Sequence, residues 1–559
     1  MLASRNPCFL VLTLTWIFTL VLTFSTRVIA FHPFDLPDVF VTFPKYLWIF
    51  LSLLSVLFAI LLKSYYKYQK YTCLYAVVII VYVWWSLFYI IPSFANYPLI
   101  WKSTEEQVLF AKAFLYQVPG NVEWSTRNLG WPLSYILLLT FHKLLDLDIL
   151  TASLYLATMI NLFIPLVIFL LGKKVSPKTA LLAPLIFSIP QTYYFRYFSD
   201  YLYGFSLFLA LIYLTWTLLL GHASKSDKGN FMGISIAIII LFTSLVAGHP
   251  LTSITCIIFY ALCSIIETLK SQNNKDLVKI FILLLIVFIS WYMYNQLAYG
   301  KTSPYIIHIL KMERLTYALT PQAYIRTPYH ENPPYYFLYI SRYFIFALLG
   351  VMSLISLLIM LKRNDGKALI LLSLILSTLI PWLTLKAITW ESFDNRFMIF
   401  GTLPVAILSA YAISSIKYKH ILYVLLAFLP ISFALAFFPS TFLIFAHEYE
   451  FQGGMFVAHY TSKDIAIITD GFTANFIAFY NPYIQPLTYL DEVTIFNVDP
   501  TKISIPDTSH IVVRSIRQDV QAFVSHHRDP GSFKTFDQVL SNSHHLCYNS
   551  RYILAWFKI

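Results

Sequence analysis

The chain has 559 residues, 58% hydrophobic, 18% aromatic and only 12% charged, with a mean hydropathy of +0.68. This balance excludes a globular enzyme on a single anchor and fits a polytopic membrane protein. The formal net charge of +12 does not point to nucleic acid, because much of the Lys and Arg lies in short links between apolar segments, where it sets orientation and meets anionic lipid.

Hydropathy predicts about thirteen membrane helices, over 9–31, 46–63, 72–93, 150–171, 179–193, 199–220, 231–248, 250–270, 278–297, 335–361, 368–388, 396–416 and 421–443. Only Arg5 precedes the first of them and no small-residue cleavage site follows it, so it reads as a retained helix and not a signal peptide. Between the third and fourth lies loop 94–149, with two expected interfacial helices. Ser103–Tyr116 is amphipathic, setting Val108, Leu109, Ala111, Phe114 and Leu115 against Glu105, Glu106 and Lys112. Pro132–Leu145 is apolar but too short to cross a bilayer core of about 30 Å. A second long loop, 298–334, is aromatic and basic, with Lys301, Lys311, Arg314 and Arg326.

The links Ser64–Tyr71, Gly172–Lys178, Gly221–Asn230, Ser271–Val278, Lys362–Lys367 and Lys417–His420 are rich in Lys and Arg, which assigns them to the cytoplasm. The N-terminus is then expected inside and the C-terminal tail outside, in a multi-pass protein of the cell membrane. With that topology, all of the 27 acidic residues except Asp227, Glu267, Asp276 and Asp365 fall on the outer side. From residue 445 the composition becomes that of a small soluble unit: strands over Ile465–Thr469, His510–Ser515 and Arg551–Lys558 and a helix over Asn475–Tyr480 predict an extracytoplasmic α/β domain. The expected division is a transmembrane hairpin over 1–71, a transmembrane core over 72–444 and the outer domain over 445–559. The five cysteines have neither disulfide-framework nor metal-ligand spacing.

Four polar clusters fall at helix ends on the outer face. Thr104-Glu105-Glu106-Gln107 opens the amphipathic helix, and a carboxylate beside apolar walls can serve as a general base; otherwise both acids solvate a polar face. Asp200, in Arg196-Tyr197-Phe198-Ser199-Asp200, stands at a helix start, where an acid also stabilises the helix dipole. Gly248-His249-Pro250-Leu251-Thr252 forms a tight turn expected to hold His249 at the surface. Trp390-Glu391-Ser392-Phe393-Asp394-Asn395-Arg396-Phe397 brings Arg396 to the membrane boundary, where its guanidinium can either fork onto a phosphate or snorkel.

The order of these pieces resembles the GT-C class of polytopic glycosyltransferases, which includes the protein O-mannosyltransferases and the lipid A aminoarabinose transferase. The residues that carry the resemblance are Tyr97-Pro98, Glu105-Glu106, Ala111-Lys112-Ala113-Phe114, Trp131-Pro132-Leu133-Ser134-Tyr135, Arg196 with Ser199-Asp200, and Arg396-Phe397 with Leu403-Pro404. The tail, with Cys547-Tyr548-Asn549-Ser550 and Trp556-Phe557-Lys558, resembles the small outer domain of archaeal members. The likeness covers roughly residues 72–559 and departs from the class in two ways. Glu105-Glu106 stands where the class has Asp, and the Trp-Trp-Asp signature of oligosaccharyltransferases is missing, since Ser86 follows Trp84-Trp85.

The resemblance implies transfer of a sugar from a polyprenyl (dolichyl) phosphate donor to a glycan, lipid or protein acceptor at the outer face. Glu105 or Glu106 would deprotonate the acceptor, Asp200 would assist or hold a divalent metal ion, and Arg396, His249 and Arg314 would bind the donor phosphate. Asp35, Asp38 and Asp394 are the alternative acids. No nucleotide cofactor is expected, as 16 glycines offer little material for a phosphate-binding loop. Two other readings stay open: a transporter or flippase for a lipid-linked substrate, which the scarcity of mid-helix charge disfavours, and a non-catalytic homologue, which the Glu-for-Asp change keeps alive.

Overall fold

The structure is a computed structural model that describes residues 100–101, 111, 131–188, 200–221, 228–270, 276–295, 333–363, 365–388, 393–415, 445–446, 448–461, 466–469, 473, 477, 510–515, 545–549 and 553–558. The expected helices over 9–31, 46–63, 72–93 and 421–443 lie outside these residues, as do Asp35, Asp38, Glu105, Glu106 and Arg314.

Among the described residues, ten helices lie in the apolar region: α1 (Leu133–Leu145), α2 (Ile149–Val175), α3 (Pro177–Ser188), α4 (Asp200–Gly221), α5 (Lys228–Gly248), α6 (Pro250–Lys270), α7 (Asp276–Tyr294), α8 (Pro333–Lys362), α9 (Gly366–Ile388) and α10 (Phe393–Ser415). Local chemistry sets several boundaries. The Asp148 carboxylate caps α2 by accepting from the Thr151 N–H at 2.9 Å. Ser176 caps α3 by accepting from the Thr179 N–H at 3.1 Å, with Pro177 at the first helical position, where its missing N–H costs nothing. Asp146, left-handed at φ 50°, ends α1. The Lys367 ammonium donates to the Val175 carbonyl at 3.1 Å, placing a cation at the negative end of α2.

Six described helices are long and apolar enough to cross a membrane: Thr151–Val175, Asp200–Leu219, Phe231–Gly248, Pro250–Leu269, Asp276–Tyr294 and Gly366–Thr384. The apolar stretches Leu133–Leu145, Pro177–Phe187, Ala347–Lys362 and Ile399–Ser415 are shorter. Helix α1, at 13 residues, is about 20 Å long and buries Ser134, Tyr135 and Leu138 against the bundle while Leu144 is exposed. Ala111, in the expected amphipathic stretch, is helical and buried in the same core.

The bundle centres on α10, which packs against α3, α8 and α9. Between apolar helices in lipid there is little hydrophobic drive, so close packing and interhelical hydrogen bonds hold the contacts. The Ser353 hydroxyl lies 2.9 Å from that of Ser409 and 3.0 Å from the Val405 carbonyl, joining α8 to α10. The Thr215 and Tyr260 hydroxyls meet at 2.5 Å between α4 and α6. Gly172 lets α2 and α3 approach, since a Cβ there would come 2.9 Å from the Ala180 Cα. On the outside, Ile236 and Ile240 of α5 and Ile282, Leu283, Ile286 and Ile289 of α7 are exposed, as lipid-facing residues would be.

Beyond the bundle, β2 (Phe445–Ala446) is followed by α11 (Glu448–Tyr460) and by β3 (Ala466–Ile468), β4 (His510–Ser515), β5 (His545–Asn549) and β6 (Ile553–Lys558). The sheet order is β3-β4-β6-β5, with β3 and β4 parallel and the other pairs antiparallel. Ile511 and Val513, two residues apart and so on one face of β4, share a buried cluster with Val457 and Ala458 of α11, Ile467, Ile477 and Ala555. The strands at 510–515 and 553–558 match expectation; β5 and α11 were not anticipated, and only Ile477 of the expected helix Asn475–Tyr480 is described, in a helical state. A further pairing was invisible in the sequence. Strand β1 (Ile100–Trp101) runs antiparallel to β2, with Ile100 opposite Ala446 and Trp101 opposite Phe445. It ties the chain just before Glu105 to the start of the tail.

Candidate active site

The site is built where α4 begins and where α5 turns into α6. A single residue, His249, separates the last two. Its N–H donates to the Leu245 carbonyl at 2.8 Å, closing α5, while its own carbonyl accepts from the Ser253 N–H at 3.3 Å, opening α6. Helices α5 and α6 both pack against α7, so the chain turns sharply at His249. Pro250 follows as the first residue of α6.

Helix α6 is capped by the imidazole. His249 Nδ1 accepts from the Thr252 N–H at 3.2 Å and lies 2.5 Å from the Thr252 hydroxyl. This is the side-chain-to-third-residue pattern of an N-cap, with a ring nitrogen where Ser or Asp would present oxygen. On the other side of the ring, Nε2 faces Oδ2 of Asp200 at 3.9 Å. Asp200 is the first residue of α4, and its Oδ1 accepts from the Tyr201 N–H at 3.0 Å. The Tyr201 ring meets the imidazole edge-on, with centroids 4.3 Å apart.

Two glycines make this packing possible. A Cβ on Gly204 would lie 2.8 Å from the Thr252 hydroxyl and 2.9 Å from the His249 Cβ. One on Gly248 would lie 2.3 Å from Cε1 of Tyr203. The expectation of a surface His249 is therefore corrected: its side chain is 1% exposed, because α4 closes over it, whereas the Asp200 side chain remains 26% exposed. One member of the pair is buried and the other reaches solvent.

Residues 200 and 249, in different clusters of the sequence, are thus brought together. Asp394 and Arg396 stand in the first turn of α10, and their side chains lie outside the described residues. Phe400, one turn after Arg396, packs against Phe205 of α4 with ring centroids 5.9 Å apart, and Phe205 in turn stacks on Phe187 of α3 at 5.7 Å. Helices α10 and α4 accordingly meet at Phe400 and Phe205. Thr252 and Tyr201 had no assigned role in the sequence; the His-Pro-x-Thr spacing, an N-cap followed by proline and a third-position donor, was the available signal. Among the described residues no group of three or more His, Cys, Asp or Glu could hold a metal ion.

No protein-family model matches the chain, and no curated protein does either. Solved structures do. The archaeal oligosaccharyltransferase AglB from Archaeoglobus fulgidus, in complex with an inhibitory peptide and a dolichol-phosphate, superposes with a TM-score of 0.53 at 10% identity over 84% of this chain and 72% of that one. The same organism's oligosaccharyltransferase in complex with Zn and sulfate gives 0.52 at 11% identity over 82% and 70%. ArnT from Cupriavidus metallidurans, bound to undecaprenyl phosphate, gives 0.50 at 9% identity over 87% and 98%. The apolar helices and their arrangement make this a multi-pass membrane protein with the fold shared by these structures.

Proposed function

We propose that this chain is a membrane glycosyltransferase that moves a sugar from a polyprenyl-phosphate-linked donor to an acceptor at the outer face of the membrane. The observation that carries the reading is a partly exposed carboxylate, Asp200, held at a bundle end beside the buried His249, within a fold shared with AglB and ArnT. Those two structures were obtained with dolichol-phosphate and undecaprenyl phosphate respectively, so a polyprenyl phosphate is common to both.

In the proposed reaction an acceptor oxygen attacks the sugar carbon bonded to the donor phosphate. The new carbon–oxygen bond forms as the old one breaks, and polyprenyl phosphate leaves with the electron pair. Glu105 or Glu106 takes the acceptor proton as general base. Asp200 orients the acceptor; were a divalent cation bound, Asp200 and the first-loop acids would supply the hard oxygen ligands it prefers, and its charge would offset that of the phosphate. Arg396 and Arg314 stabilise the leaving phosphate, for which a guanidinium fork is the best-matched side chain. Asp35, Asp38 and Asp394 are the reserve acids if the first-loop assignment fails. The outer orientation, and the role of residues 445–559 as an extracytoplasmic α/β domain, belong to the same proposal and rest on the Lys- and Arg-rich links.

The test is direct. Purified protein incubated with labelled polyprenyl-phosphate sugars and membrane-derived acceptors is expected to transfer label, and Asp200→Asn to lose it. Absence of transfer from every donor by the unaltered protein would favour the non-catalytic homologue.

A further inference from the structure

We infer that His249 is a positioning residue that aims the Asp200 carboxylate, and not a ligand of the donor phosphate. The inference rests on the proposed function and deepens it. Its basis is the assignment of the ring proton. A backbone N–H can only donate, so the 3.2 Å contact from the Thr252 N–H makes Nδ1 an acceptor. The Thr252 hydroxyl, 2.5 Å from the same nitrogen, then donates as well. The proton of the imidazole is left on Nε2, the nitrogen that faces Asp200 Oδ2.

The cap therefore does two things at once. It satisfies an orphan N–H of α6, and it fixes the tautomer that presents a donor to the carboxylate. The ring cannot rotate away. Tyr201 packs on its edge, and Gly204 lets α4 approach its Cβ closely. At 3.9 Å the Nε2–Oδ2 pair is beyond hydrogen-bond range, and an approach of about 1 Å closes it. Such contacts commonly tighten when substrate binds. With Nδ1 engaged by the helix end and Nε2 turned to a carboxylate, the buried ring presents no donor to a phosphate outside.

Two substitutions separate the cap from the donor. In His249→Asn the amide oxygen can still accept the Thr252 N–H, Asn being a good N-cap residue, but the shorter side chain no longer carries a donor toward Asp200 Oδ2. In His249→Gln the longer side chain carries an N–H toward the position of Nε2. Steady-state transfer of a labelled polyprenyl-phosphate sugar is measured for both, beside the unaltered protein and Asp200→Asn, with thermal unfolding as a check on folding. His249→Asn is expected to keep its unfolding midpoint and its KM for donor while kcat falls about 10–100-fold, the usual cost of losing an outer partner of a working group. His249→Gln is expected to recover most of that kcat. A His249→Asn protein with unchanged kcat overturns the inference, as does one in which only the donor KM rises, since that is the signature of phosphate binding. If Asp200→Asn is as active as the unaltered protein, the proposed function loses its described acid, and that failure is distinguishable from the failure of His249 alone.

Discussion

Gly204 and His249 face each other across α4 and α6 with no room for a methyl group: a Cβ at 204 would sit 2.9 Å from the His249 Cβ. Gly204→Ala should therefore overpack the joint and cost about 1–3 kcal/mol. Gly233, in α5, has nothing within 4 Å of the same built atom, so Gly233→Ala should be neutral or stabilise by up to about 1 kcal/mol through helix propensity. Thermal unfolding of both variants in detergent compares them. Equal midpoints would mean that α4 and α6 do not meet as closely as the structure has them.

Ser409 tests the packing of α8 on α10. Its side chain is fully buried and its hydroxyl donates to the Leu349 carbonyl at 3.0 Å. Ser409→Ala should lower stability by only about 0.6 kcal/mol, the typical worth of a hydrogen bond between membrane helices. Ser409→Leu should cost several times more, because the side chain has nowhere to go. A leucine tolerated as well as alanine would show that the two helices are not in close contact there.

The general base is assigned by kinetics. Glu105→Gln or Glu106→Gln should reduce transfer by about 10²–10⁴-fold with donor binding largely retained. Asp38→Asn is the control: if it is inactive while both glutamine variants work, the first-loop acid lies one hairpin earlier.

Arg396→Lys should raise the KM for donor more than it lowers kcat, because lysine keeps the charge and loses the planar fork. An unchanged donor KM would return Arg396 to the simple role of snorkelling at the interface.

Orientation can be read with an impermeant thiol reagent on intact cells, using cysteines placed at Ser224 and Ser532 in a chain whose own five cysteines are replaced. Label is expected at Ser532 and not at Ser224. The reverse pattern would invert the map and move the site to the cytoplasmic side.

Much of the helical frame was legible along the chain. Helix α6 begins and ends where hydropathy set it, and α9 and α8 differ by two residues or fewer at each end. The reason is that in lipid each helix satisfies its own backbone, so length and apolarity are properties of the segment itself. Asp200 could be picked out for the same reason: a lone acid beginning an apolar helix is conspicuous without knowledge of any partner. What the sequence could not contain was the pairing. His249 reads as a surface turn until α4 closes over it; the pair of residues 200 and 249 exists because Gly204 admits the approach of α6. The antiparallel match of Ile100 with Ala446 was equally hidden, since two-residue strands carry no periodicity and draw their register from elements far away in the chain. Segment composition, then, determined the helices and marked the polar residues at their ends; which of those residues face each other was decided only by tertiary packing, because contacts between helices depend on small residues and shapes that no local pattern encodes.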